Sequence, residues 1–266
     1  MKKKTLHYLS KYEGIIRILF LLLIDELLEN LAFISLNPHI NFLVDNVLFK
    51  IFSLVSILLL NFLILRQKVY FKPIPPEMKL KEKIIFTILF IIVFLVPIMG
   101  KSNTRIFEAV TVGLIAAIPE EYLYRGIVLG GFLKYLKSTK LQNEKSRIIV
   151  CLVVSSLLFA LMHMSNAIFD GTLNTLCQII QTFGLGFLAG SLYIAYSSLL
   201  APIALHFLLD FEVTISQGLD QGPQVTVSNI PSYIFSSFII AAFYITIGVL
   251  ILRKANYNNL LNKINS

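Results

Sequence analysis

The sequence predicts an all-α polytopic transmembrane bundle of about eight spans around a membrane-embedded polar cavity, on three observations. Only 14% of the 266 residues are charged and 56% are hydrophobic. A soluble domain is roughly 25% charged, so the polar surface of a water-facing fold is missing. Apolar runs long enough to cross a bilayer recur along the whole chain, with no water-soluble, domain-sized stretch between them. Inside those runs stand Glu, His and Arg residues, which in membrane segments normally face the protein interior and pair with one another. Residues 1–266 therefore read as a single integral membrane domain.

In order, the spans are expected at 14–36, 47–65, 84–100, 107–132, 148–164, 173–197, 200–215 and 232–252. The first carries Asp25, Glu26 and Glu29; the seventh is short for a full crossing. The first apolar run is followed by no small-residue cleavage site, so it is expected to be retained as a span. Pro73, Pro75 and Pro76 make 66–83 an extended connector, and the Gly-, Gln- and Asp-rich stretch 216–230 reads as a polar loop. Cys151 and Cys177 fall in apolar runs without CxxC spacing and read as core thiols.

The formal charge of +8 comes from Lys and Arg residues gathered in short segments between apolar runs. They crowd the N-terminus, 66–83, 134–147 and the C-terminal tail, while Lys101 and Arg105 stand alone on the other side. The positive-inside bias then puts both termini in the cytoplasm of a multi-pass cell-membrane protein, its cations facing lipid headgroups. With no basic amphipathic stripe and no nucleic-acid motif, the expected partner is the bilayer and no nucleic acid.

The fourth span reads FEAVTVGLIAAIPEEYLYRGIVLGGFLKYL, with Glu120, Glu121 and Arg125 near its middle. Each ionised group there costs at least ~2.5–3.5 kcal/mol on insertion scales. Glu121 and Arg125 are four apart, acid first, the favourable order for an ion pair. Glu120 is turned about a quarter-circle away and stays outside that pair, free for chemistry. Pro119 before them loosens local backbone hydrogen bonding. Taken alone, the segment fits a structural cluster as well as a catalytic one.

Two further segments bear on that choice. Phe159 and His163 are one helical turn apart, the ring placed to wall the imidazole from lipid. His206 and Asp210 are likewise one turn apart, so the carboxylate can orient the imidazole. His7 and His39 lie in polar settings that account for them. Glu120, His163 and His206 supply what a water-activating site needs: a carboxylate base, imidazoles and donors for an oxyanion. Two His and a carboxylate also form the ligand set of some catalytic zinc sites, so a divalent metal such as zinc on Glu120, His163 and His206 stays open. No HExxH occurs.

At these residues the chain resembles the CPBP family of intramembrane proteases, also called the Abi or type II CAAX prenyl endopeptidase family. The family pattern is EExxxR, then FxxxH, then HxxxN or HxxxD. Glu120-Glu121 with Arg125, Phe159 with His163, and His206 with Asp210 match it in order, within about 107–211. The resemblance implies a membrane-embedded endopeptidase, described for the family both as a metalloprotease and as a glutamate protease. It implies that Glu120 and His163 activate the attacking water, that His206 and Asp210 stabilise the oxyanion or position the water, and that Glu121 with Arg125 shapes the site. Asp210 stands where eukaryotic CAAX enzymes have Asn. An ionised Asp cannot donate to an oxyanion, so orienting His206 or binding a metal suits it better.

The Lys-, Asn-, Ile- and Phe-rich composition suggests a low-GC bacterium, and bacterial relatives are linked to bacteriocin self-immunity or peptide-signal processing. The expected substrate is thus a membrane-associated peptide or protein. The competing reading is a non-enzymatic immunity protein that binds a toxin or its receptor. Straight helices would hold His163, Glu120 and His206 at different depths, so one common site requires tilted, broken or re-entrant helices.

Overall fold

The computed structural model describes residues 2–35, 42–71, 88, 91–136, 143–219 and 230–265. Every regular element among them is helical. In chain order they are α1 (Lys2–Ser35), α2 (Phe42–Leu60), α3 (Val96–Ile98), α4 (Asn103–Glu121), α5 (Gly130–Tyr135) and α6 (Glu144–Leu161), followed by α7 (Ala167–Asp170), α8 (Thr172–Tyr196), α9 (Leu200–Gln217), α10 (Ile230–Lys254) and α11 (Asn258–Asn265).

Four of these stretches are long and apolar enough to cross a membrane: Leu43–Leu65, Glu144–Asn166, Thr172–Tyr196 and Ile230–Lys254. They coincide with the spans expected at 47–65, 148–164, 173–197 and 232–252. Residues 14–35 of the first expected span and the runs at 107–132 and 200–215 are helical, lying in α1, in the α4–α5 region and in α9. Of the span expected at 84–100, residues 91–98 are helical and 84–87, 89 and 90 lie outside the described residues, as do 72–83 of the connector, 220–229 of the polar loop and the side chains of His7 and His39. Large apolar side chains cover the outward faces, Leu59 on α2, Phe62 and Leu63 in the π-helical turn Asn61–Leu65 that follows it, and Phe235, Phe238 and Phe243 on α10 among them. Water would reject such faces, whereas hydrocarbon accepts them.

Local chemistry sets several helix ends. The Ser102 side chain accepts from the Arg105 N–H at the start of α4, and the Asn143 side chain accepts from Lys145 N–H at the start of α6. Both satisfy backbone donors that a helix start leaves without partners. Gly171, at φ +80°, separates α7 from α8 in a conformation that a side chain would oppose.

The span expected at 107–132 is one continuous helical path whose winding changes midway. After Glu121 the path widens into a π-helical stretch, Tyr122–Leu129, before α5 resumes the ordinary winding. Pro119, with no N–H to donate, lies just upstream. π insertions are rare and frequently lie at functional sites. Neighbours tie this one down: the Ser155 hydroxyl of α6 donates to the Tyr124 carbonyl at 2.9 Å. Leu123, Ile127, Val128 and Leu129 of the stretch are buried in the main apolar core.

A non-helical strip, residues 66–71, runs against the same region. Asn61 clips it by accepting from Gln67 N–H at 2.9 Å and donating to the Gln67 carbonyl at 3.0 Å. Tyr70 passes its carbonyl to Leu199 N–H at 2.8 Å, linking the strip to the start of α9. Irregular backbone is tolerated at membrane depth where protein supplies its hydrogen bonds in this way.

Close approach of α8 to its neighbours depends on small residues. A Cβ at Gly184 would stand 2.6 Å from Ala241 Cα and 2.8 Å from the Ala241 carbonyl oxygen. Both are backbone atoms, so a larger residue must push α10 away. Gly184→Ala is expected to destabilise the protein by about 1–3 kcal/mol, the usual cost of overpacking. Thermal unfolding in detergent measures it, and an unchanged transition would show that the two helices can separate freely.

Candidate active site

Glu120 and Glu121 occupy the last positions of α4, where the winding changes, and their carboxylates serve different partners. Glu121 is fully buried. Its Oε1 lies 3.0 Å from Arg125 Nη1, the pair that the i,i+4 spacing predicts. The same oxygen accepts from His206 Nδ1 at 2.8 Å, an interaction that spacing within one segment does not reveal. The imidazole of α9 is thereby tied to the α4 carboxylate across 85 residues of sequence.

Glu120 turns the other way, and here the sequence reading needs correction. It left this carboxylate free, yet Glu120 Oε1 accepts from the Lys50 ammonium of α2 at 2.8 Å. The other oxygen, Oε2, faces His206 Nε2 at 3.9 Å. Lys50 lies near the start of the span expected at 47–65. Its sequence signal was a lone ammonium within an apolar helix, which must either reach the headgroups or find a carboxylate.

His206 therefore lies among three acids. Nδ1 meets Glu121, while Nε2 faces Asp210 Oδ2 at 3.4 Å as well as Glu120. Both ring nitrogens meet carboxylate oxygens, which accept, so a ring carrying protons on both nitrogens is matched at each.

Phe159 lies at the hub rather than at a lipid-facing wall, being 1% exposed. The Arg125 guanidinium stands over its face, 4.2 Å from the centroid, a cation–π contact. His163 and His206 meet the ring edge-on, with centroids 5.2 Å and 6.0 Å away. His163 sits in the 3₁₀ turn Met162–Asn166 that tightens the end of α6. Its Nδ1 lies 3.1 Å from the Phe159 carbonyl. A carbonyl only accepts, so Nδ1 carries the hydrogen and Nε2 of the neutral ring keeps its lone pair.

All seven residues singled out from the sequence thus belong to one connected group. The change of winding at the end of α4, a tightened end of α6 and the first turns of α9 bring them together. Outside the group, Ser53 of α2 donates to Glu29 of α1, and Asp25 of α1 is buried.

The same geometry tests the zinc set. Among the described residues no group of three or more His, Cys, Asp or Glu side chains is disposed to hold a metal ion. Glu120 already directs one oxygen at an ammonium, and a divalent cation beside that charge would be repelled. In this arrangement Glu120, His163 and His206 are not gathered into one ligand set.

No curated protein and no solved structure matches this chain. A family model does match residues 102–211, from the helix cap at Ser102 to just beyond Asp210. That model is described as type II CAAX prenyl endopeptidase Rce1-like, so residues 102–211 match the CPBP family of membrane endopeptidases that the three motif blocks resemble.

Proposed function

We propose that this protein hydrolyses a peptide bond in a membrane-associated peptide or protein, using water activated by Glu120 and His163. The observation that carries the reading is the meeting of Glu120 from α4 with His206 from α9 at 3.9 Å, beside the Phe159–His163 pair of α6. An apolar protein has no structural need to gather so many ionisable groups, each costly in a bilayer.

In this reading Glu120 Oε2 takes one proton of the attacking water, whose other O–H donates to the lone pair of His163 Nε2, a carboxylate–imidazole pair. The new C–O bond forms as the carbonyl electrons move onto oxygen. His206 Nε2–H, held in orientation by Glu121 at Nδ1, donates to that oxyanion. Collapse of the tetrahedral species breaks the C–N bond, and the proton held by the base passes to the leaving amine. Asp210 Oδ2, 3.4 Å from the same Nε2, balances the charge of the ring, a role open to an acceptor-only carboxylate. No step runs through a metal.

The proposed setting is bacteriocin self-immunity or processing of a peptide signal, supported by the resemblance to bacterial relatives. Both termini are placed in the cytoplasm, supported by the distribution of Lys and Arg.

Mass spectrometry of candidate membrane peptides, incubated with wild-type and Glu120→Ala protein in detergent or lipid, tests the reaction. Cleavage by the wild type alone is the expected result. Equal cleavage by both proteins would end the catalytic reading. Metal analysis of the purified wild type tests the metal-free route, with a stoichiometric divalent ion counting against it.

A further inference from the structure

The segment matching the endopeptidase family begins at residue 102, yet the nearest cation to Glu120 comes from α2, outside it. Lys50 and Glu120 have side chains only 25% and 22% exposed and are 2.8 Å apart. A lysine in an apolar helix can usually carry its charge along its flexible stem to the headgroups. Lys50 turns inward, toward three carboxylates. Glu120 of α4 binds it directly, and Glu29 of α1 and Asp210 of α9 act on its charge from the two neighbouring helices. Ser53, three residues on along α2, donates to Glu29 and fastens the lysine-bearing face of α2 to α1.

We infer that Lys50 is a positioning residue for the catalytic carboxylate, an inference that rests on the peptidase reading above. By occupying Oε1 it fixes the carboxylate plane and leaves Oε2, on the His206 side, as the oxygen that accepts the water proton. A charge-assisted hydrogen bond is strong enough to hold one rotamer in this way. The first two helices thereby complete a site whose remaining members lie in the family-matched segment.

The test uses the full-length protein in detergent or lipid vesicles with a peptide that the wild type cleaves. Lys50→Met is expected to lower kcat about 10- to 100-fold with KM changed less than about threefold, as when a reacting group is misplaced. Lys50→Arg, which keeps the charge and the donors, is expected to return kcat to within about fivefold of wild type.

Wild-type kcat in Lys50→Met would overturn the inference while leaving the peptidase reading intact. So would equal losses in Lys50→Met and Lys50→Arg that follow their melting temperatures. If the wild type cleaves nothing, the peptidase reading fails, and the positioning role with it. The pairing is then read from melting temperatures of Lys50→Met, Glu120→Gln and the double variant. The pairing predicts a double loss smaller than the two single losses combined, and strict additivity would refute it.

Discussion

Glu120→Gln is expected to lower peptide turnover by about 10²- to 10⁴-fold, the usual contribution of a general base, while the protein inserts and melts much as before. Glutamine keeps the shape of the side chain and an oxygen that can still accept from Lys50, 2.8 Å away in the wild type. What it loses is the ability to take a proton. His163→Ala removes the second acceptor at the same place and should cost a comparable factor. The two losses should not multiply, because residues that act as one unit give strongly non-additive effects. The measurement is product formation by mass spectrometry, with circular dichroism and melting temperature as controls for folding. A Glu120→Gln protein within about tenfold of wild-type turnover would remove the carboxylate from the chemistry. In cells, protection against a bacteriocin that survives both substitutions would favour a binding protein over an enzyme.

The sequence made much of this arrangement legible, and the limits are physical. Helices at 47–65, 148–164, 173–197 and 232–252 were legible because an apolar run of bilayer length has few alternatives. The Glu121–Arg125 pair was legible because i,i+4 contacts need only helical geometry, and a π stretch beginning at Tyr122 did not separate the partners. That stretch itself left no periodic trace: its residues are buried whichever way the helix winds, so hydropathy does not register the change. The Lys50–Glu120 contact was hidden for another reason. It joins two helices 70 residues apart, and nothing local separates a lysine seeking headgroups from one seeking a carboxylate. His206 shows both cases. Its relation to Asp210 follows from one turn of α9, whereas its bond to Glu121 depends on how α9 packs against α4.

Arg125→Met is expected to destabilise the protein by about 3–5 kcal/mol, the range found when one partner of a buried ion pair is removed. Arg125 and Glu121 are 1% and 0% exposed, so no water is at hand to take over the lost interaction. The damage would spread through the group. Glu121 would keep only His206 as a charged neighbour within hydrogen-bond reach, and the Phe159 ring would lose the guanidinium that stands 4.2 Å above it. Lysine should not rescue fully, because a point ammonium cannot both reach Glu121 and stack flat on the ring. Removing the acid as well should. In Glu121→Gln/Arg125→Met no unpaired charge remains, glutamine can still accept from His206, and much of the lost stability is expected to return. Thermal unfolding of the four proteins in one detergent decides the matter. Turnover separates stability from chemistry: the double variant should fold but cleave slowly, because His206 would have lost the carboxylate that orients it. A double variant as unstable as Arg125→Met would mean that the guanidinium acts through packing on Phe159 alone. A double variant with wild-type turnover would show that His206 needs no carboxylate at Nδ1.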